Sequence, residues 1–192
     1  MGDMIVKLLF SLLVLLLSVT DAWSKDVGGV TLPEQVNVDG SIEALQLNGA
    51  GIRKKFFFSI YVAALYLPEK TGDAEKVINA DVTKRVLMHF VYSEVEKEKM
   101  RSGWVEGFSD NLSADEMKVL RERLDNFNAM FDTLHEGDVV LLDYLPGIGT
   151  RVTIRGEQKG MIPGADFNQA LMSVWLGASP VTSSLKSALL GN

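Results

Sequence analysis

Apolar residues recur along this chain at spacings that change from segment to segment, and each spacing predicts an element. Met117, Leu120, Leu124, Phe127, Phe131 and Leu134 follow one another at steps of three and four. This predicts one amphipathic helix, ended by Gly137. Ser113-Ala-Asp-Glu116 opens it as a capping box, in which Ser113 accepts from a first-turn amide and Glu116 reaches back. Upstream, Met100, Trp104, Phe108 and Leu112 step by four and predict a second helix. Phe167, Ala170, Leu171, Val174 and Trp175 predict a third, stopped by Gly177. Ser179-Pro180 starts a fourth, with Ser at the cap, Pro at the first helical position, and Leu185 and Leu189 turned inward. A short helix fits Asp73–Asn79.

Elsewhere the pattern is strand-like. Ile52 to Leu67 is the longest such stretch, rich in aromatic and β-branched residues and free of internal Gly and Pro, and it reads as one strand. Positions 53, 55, 57, 59, 61, 63 and 65 would then share a face: Arg, Lys, Phe, Ser, Tyr, Ala, Leu. The other face, from Phe56 to Tyr66, reads as core. Arg85–Tyr92, Asp138–Tyr144 and Gly149–Arg155 are further strands, the last two joined as a hairpin through Leu145-Pro146-Gly147-Ile148. Val27–Val30, Val36–Val38 and Leu45–Leu47 are shorter pieces. Strands and helices fall in segregated blocks. That predicts an α+β fold, a large, mostly antiparallel sheet covered by a layer of helices.

The N-terminus follows a different logic. Lys7 precedes an apolar run from Leu8 to Leu17, and Ala22-Trp23-Ser24 is a small-x-small cleavage site. Residues 1–24 are expected to be a signal peptide and residues 25–192 a single domain, periplasmic or secreted. The alternative is an uncleaved N-terminal anchor. The run falls short of the roughly 20 apolar residues that span a bilayer, so the mature chain is expected to have no transmembrane segment.

Composition narrows the function classes. With 19 basic against 25 acidic residues the net charge is −6, which argues against nucleic acid as a partner. Two histidines and no cysteine argue against a zinc site, and the chain has no disulfide to lean on. No phosphate loop or nucleophile elbow is present, and no cofactor is expected. Gly49-Ala50-Gly51 lacks the third glycine of a dinucleotide loop and reads as a point of close backbone packing.

Arg53 and Tyr61 are the residues with chemistry to offer. A guanidinium fork and a phenol set on an apolar wall suit a carboxylate or phenolate whose remainder is greasy. Arg53-Lys54-Lys55 is also a basic triplet, and such runs are commonly solvated. His89 reads as a satisfied core histidine, Trp104 and Trp175 as core on their helices. Glu94 to Lys99 reads as a solvated helix start, and Asp143 as a surface group or one satisfied near its turn.

Leu47 to Leu67, with Gly49-Ala-Gly-Ile-Arg53 leading into the aromatic stretch and Leu65-Tyr66-Leu67, resembles the signature of the bacterial chalcone isomerase-like family. Gly137-Asp138 and Leu142-Asp-Tyr-Leu-Pro-Gly-Ile-Gly-Thr150 resemble the same branch. Ile162-Pro163-Gly164 through Ser179-Pro180-Val-Thr182 is similar to the end of plant chalcone isomerases. The resemblance spans roughly Val27 to Leu190 and implies an open-faced β-sandwich. It also implies that Arg53 matches the arginine that holds the chalcone phenolate in the plant enzymes, and the fatty acid carboxylate in plastid fatty-acid-binding relatives. Tyr61 falls where those binders have Tyr and the isomerases have Thr, although the spacing from Arg53 is several residues shorter than in the plant enzymes. Where the isomerases carry a Tyr–Asn pair on a helix, this chain has Trp104 and Phe108. Thr182 matches the C-terminal Thr and would also suit a capping role.

The expected ligand set is therefore Arg53, Tyr61, Trp104, Phe108 and Thr182. The expected function is a non-catalytic binder of a hydrophobic carboxylate such as a fatty acid. Two alternatives stay open: an intramolecular lyase or isomerase acting on a phenolic or enone substrate through Arg53, and a ligand-free protein-interaction module.

Overall fold

The computed structural model describes residues 24–192, so all but the last residue of the expected signal peptide lies outside it. Two strands open the described chain, β1 (Ser24–Val27) and β2 (Val30–Pro33), paired through Gly28-Gly29. Both glycines have positive φ, 58° and 82°, as a two-residue hairpin turn requires. The segment Val27–Val30 is thus a reversal of the chain rather than a strand.

Seven strands form the main sheet: β3 (Gln35–Val36), β4 (Leu45–Lys55), β5 (Phe58–Leu67), β6 (Lys84–Phe90), β9 (Val139–Leu145), β10 (Gly149–Ile154) and β11 (Glu157–Ile162). Their order is β11-β10-β9-β6-β5-β4-β3, and every neighbouring pair is antiparallel. A small ribbon pairs β7 (Glu94–Val95) with β8 (Leu134–His135). The described helices are α1 (Ala74–Asn79), α2 (Lys97–Ser109), α3 (Ala114–Ala129), α4 (Ala165–Leu176) and α5 (Ser183–Leu189).

Strand alternation assigns the two faces of the sheet. Tyr61, Ala63 and Leu65 of β5, Val86, Met88 and Phe90 of β6, and Val140 and Leu142 of β9 point into the main core under the helices. Val62, Ala64 and Tyr66 point the other way, into a smaller cluster that β2 covers with Val30 and Leu32. Among the described residues no helix lies on that second face in this cluster, so the sheet is covered by helices as the α+β pattern predicts, in the open-faced arrangement that the resemblance implies. Helix α4 is apolar nearly all round because it lies between the sheet and the other helices, and Phe167, Leu171, Val174 and Trp175 are all buried. Its polar exception, Asn168, donates to Thr150 Oγ1 at 3.3 Å.

The glycine pair on β4 has a packing reason. A Cβ on Gly49 would run into the carbonyl oxygens of Ala188 and Leu189, and one on Gly51 would stand 2.6 Å from the Ala188 Cβ. Only bare backbone lets α5 lie this close to the strand.

Several expectations change. The stretch from Ile52 to Leu67 is two strands, with a turn at Phe56-Phe57 where Phe56 takes φ 57°. Helix α3 begins at the Ser113 capping box as expected but ends at Ala129. There Arg101 Nε donates at 3.1 Å to the Asn128 carbonyl, which also accepts from the Phe131 amide at 3.3 Å, and Phe131 and Leu134 continue the apolar stripe outside the helix. The last helix starts at Ser183 with Thr182 at the cap, not at Ser179-Pro180. Strand β11 carries no clear alternation in sequence, and the pattern alone predicts no strand there. His89 lies half-buried on the open face, its parity opposite to the core residues Met88 and Phe90. Asp143 is fully buried, held by Arg85 Nε at 2.5 Å and Arg151 Nη2 at 3.0 Å.

Candidate functional site

The antiparallel register places Arg53 of β4 directly opposite Tyr61 of β5. Both side chains therefore leave the sheet on the helix-covered side. A bulge separates Arg53 from Lys54, so the regular ladder stops at this pair and the chain runs on into the exposed tip. The guanidinium carbon lies 6.0 Å from the centre of the Tyr61 ring. Arg53 is half-buried, and its side chain has no hydrogen-bond or ion-pair partner among the described residues.

Tyr61 is held from the other side. Its ring packs on Phe90 at 5.5 Å between centroids, and Trp175 Nε1 donates to its hydroxyl oxygen at 3.0 Å. Burial pushes the phenol pKa up, against the smaller lowering effects of Arg53 and the Trp175 hydrogen bond. The hydroxyl thus keeps its proton at neutral pH. It donates to no described residue, so its O–H is left to offer to a guest.

A cleft of about 580 Å³ opens beside the pair, between the end of the β4–β5 hairpin and α2. Ile60, Met88, Met100, Trp104, Val174 and Val181 supply apolar wall, with Phe58 and Tyr92 toward the tip. Trp104 also belongs to the core, edge-on to Phe127 at 5.2 Å and to Trp175 at 5.6 Å, and its Nε1 is buried without a described partner. Glu94, Glu96, Lys99 and Glu106 line the cleft from the α2 side. A volume of this size and an apolar wall edged by charged side chains can hold a small amphiphile.

Arg53, Tyr61 and Trp104, three of the expected ligand set, line this one cleft. Phe108 does not join them: it is fully buried and packs on Phe167 at 5.4 Å. Thr182 also stays off the cleft, which its neighbour Val181 reaches. At the cap of α5 the Thr182 hydroxyl makes no capping bond and is buried without a described partner. Met88 and Met100 are lining residues that chemistry-led reading passed over. Both were legible as inward positions, Met88 by strand parity and Met100 by helix stepping.

A second cavity, about 690 Å³, lies between α3 and β11. Its arginine, Arg123, is already committed to Asp166 at 2.6 Å and to the Pro163 carbonyl. It offers no free cation. Among the described residues no three His, Asp or Glu side chains are grouped to hold a metal ion, and no helix is long and apolar enough to cross a membrane.

Known proteins resemble the chain in two ways. A family model described as chalcone isomerase-like matches residues 24–191. Among solved structures, that of a fatty-acid binding protein from Arabidopsis thaliana aligns with a TM-score of 0.68. The alignment covers 88% of this chain and 96% of that one, at 15% sequence identity, a likeness of fold. No curated protein matches the chain in sequence.

Proposed function

The chain belongs to the chalcone isomerase-like family, and from that premise we propose that it is a non-catalytic binder of a hydrophobic carboxylate such as a fatty acid. One observation carries the reading: a half-buried arginine with no described anionic partner, facing a protonated phenol at the wall of an apolar cleft. A guanidinium withdrawn from water without an anion is costly, and a ligand carboxylate removes that cost. Arg53 would grip the carboxylate with its fork, Tyr61 would add a third donor, and the apolar wall including Trp104 would take the chain. The fold shared with a fatty-acid binding protein supports the same reading.

Neither group invites turnover. A guanidinium has donors and no acceptor, and burial pushes the phenol pKa up, so both serve to donate hydrogen bonds rather than to move protons. We further propose that residues 1–24 direct export, so that the binder works in the periplasm or outside the cell.

The test is mass spectrometry of lipid extracted from the protein as recovered from its producing cell. A co-purifying amphiphilic acid, absent from the Arg53→Ala protein, supports the proposal. A ligand-free wild-type protein that also ignores oleate overturns it and points to the interaction module. Cyclisation of naringenin chalcone above the spontaneous rate, lost in Arg53→Ala, overturns it in favour of the isomerase.

A further inference from the structure

The β4–β5 hairpin ends in Lys54-Lys55-Phe56-Phe57-Phe58, and this tip carries the most concentrated exposed aromatic surface among the described residues. Phe56 and Phe57 are 87% and 83% exposed, and Phe58 is 47% exposed. The Phe57 ring packs tilted against Phe58 at 4.7 Å, and Phe58 packs edge-on to Tyr92 at 5.6 Å, so the tip is braced from below while its outer rings stand in solvent. Phe56 occupies a left-handed backbone position at φ 57°, where Gly or Asn sits without strain. A bulky ring there gives the fold no packing in return. Lys54 and Lys55 are exposed, and their side chains have no ion-pair partner among the described residues. On a chain of net charge −6, three consecutive cations ending at two bare phenylalanines form a local reversal of sign.

We propose that this tip docks on an anionic lipid bilayer, with Phe56 and Phe57 entering the interface and Lys54 and Lys55 pairing with headgroups. Apolar rings flanked by lysines are the composition of an interfacial anchor. A protein-binding surface is a poorer fit: interface cores are depleted in Lys, and two projecting rings fall well short of the roughly 800 Å² a stable interface needs from each partner. The tip is also the lip of the cleft, since Arg53, Lys55, Phe56 and Phe58 all line it. Docking would set the mouth against the bilayer, the source of a hydrophobic acid. Glu94, Glu96 and Glu106 lie across the cleft on the α2 side and would be repelled by an anionic surface, which orients the approach tip first. Only the loading route rests on the binder reading; the docking stands on the tip alone.

The experiment is co-sedimentation with vesicles of phosphatidylcholine alone and of equal parts phosphatidylcholine and phosphatidylglycerol. Wild-type protein is compared with Phe56→Ser/Phe57→Ser and with Lys54→Ala/Lys55→Ala, all carrying the same N-terminus, so that the differences read the tip only. Wild type is expected to prefer the anionic vesicles. The lysine pair should cost about thirtyfold in partitioning, at about fivefold per basic residue near the surface. The phenylalanine pair should cost at least about tenfold on either vesicle. Oleate binding in detergent-free solution should survive the single variants Lys54→Ala and Phe57→Ser, whose residues do not line the cleft, while vesicle partitioning falls in each, which separates a failure of docking from a failure of the binder reading. Partitioning unchanged by either pair overturns the proposal. So does a wild type that ignores both vesicles but forms a concentration-dependent dimer lost in the phenylalanine variant, which would assign the tip to a second copy of the chain.

Discussion

Arg53 and Tyr61 face each other across the β4–β5 ladder, with the guanidinium carbon 6.0 Å from the phenol ring centre. The phenol oxygen is fixed from behind by Trp175 Nε1 at 3.0 Å. The pair is thus a cation and a hydroxyl that line the same cleft. That geometry makes separable predictions for each partner and for the scaffold that holds them.

Arg53→Lys keeps the charge and loses the planar fork. Oleate affinity, read by calorimetry, should fall about tenfold, and Arg53→Ala should lower it further, by roughly 10- to 100-fold in total, as expected when a hydrogen bond to a charged group is lost. Equal affinity for Lys and Arg at position 53 would mean the fork is not used.

Tyr61→Phe removes an acceptor as well as a donor. The buried Trp175 Nε1 would be left without its partner, at about 1–3 kcal/mol. The urea midpoint should drop with an unchanged slope, and oleate affinity should fall in parallel. A variant that loses affinity at full stability would show that the Trp175 hydrogen bond contributes nothing to folding.

Lys84 is buried on the helix side of β6, where Nζ donates to the Val77 carbonyl at 2.6 Å and the Ala80 carbonyl at 2.8 Å, closing the end of α1. Burial lowers its pKa to about 8, with Asp81 pulling the other way. Between pH 8 and the unfolded value of 10.5 the native chain binds fewer protons than the unfolded one, so stability rises with pH across that window. Relative to Lys84→Met, wild type should gain roughly 3 kcal/mol at most from pH 7.5 to 10.5 in urea unfolding. Tyr66 and Tyr144, both pushed up to about 12 with burial as the leading cause, act oppositely above pH 10, and they do so in both proteins. A flat difference curve would refute the buried-lysine account.

Gly49→Ala and Gly103→Ala should differ in sign. At Gly49 the new methyl meets the carbonyls of Ala188 and Leu189, and the latter already accepts from Asn48 Nδ2 at 2.7 Å, so α5 must shift. A loss of about 1–3 kcal/mol is expected. At Gly103, within α2, a Cβ meets nothing within 4 Å, and the substitution should stabilise by about 0.5–1 kcal/mol. Thermal unfolding of both variants checks the pair.

Much of the fold is written locally. The Ser113–Glu116 capping box, the apolar stripe of α4 and the β9–β10 hairpin each depend on residues a few positions apart, and all three form where the pattern predicts. Asp143 and His89 were harder to place, because their surroundings come from strands distant in sequence. Asp143 is buried only because Arg85 on β6 and Arg151 on β10 flank it.

The candidate site shows the division most clearly. The residue types at 53 and 61 were determined by the sequence, but their shared face was not: the turn that sets Lys55 opposite Phe58 would by itself set Arg53 opposite Ile60, and the bulge after Arg53 moves its partner to Tyr61. Along one continuous strand, however, those eight positions would span about 26 Å, too far to hold one carboxylate. The turn that joins them was hidden, because Phe56 stands at φ 57° where a hairpin normally signals itself with Gly or Asn. Only the fold-back of β5 onto β4, together with that bulge, makes the two residues a cross-strand pair at about 5 Å. The cleft beside it needs α2 as well, an element that no local pattern brings to the hairpin. Short-range periodicity decides which way a side chain points, and long-range pairing decides what it meets.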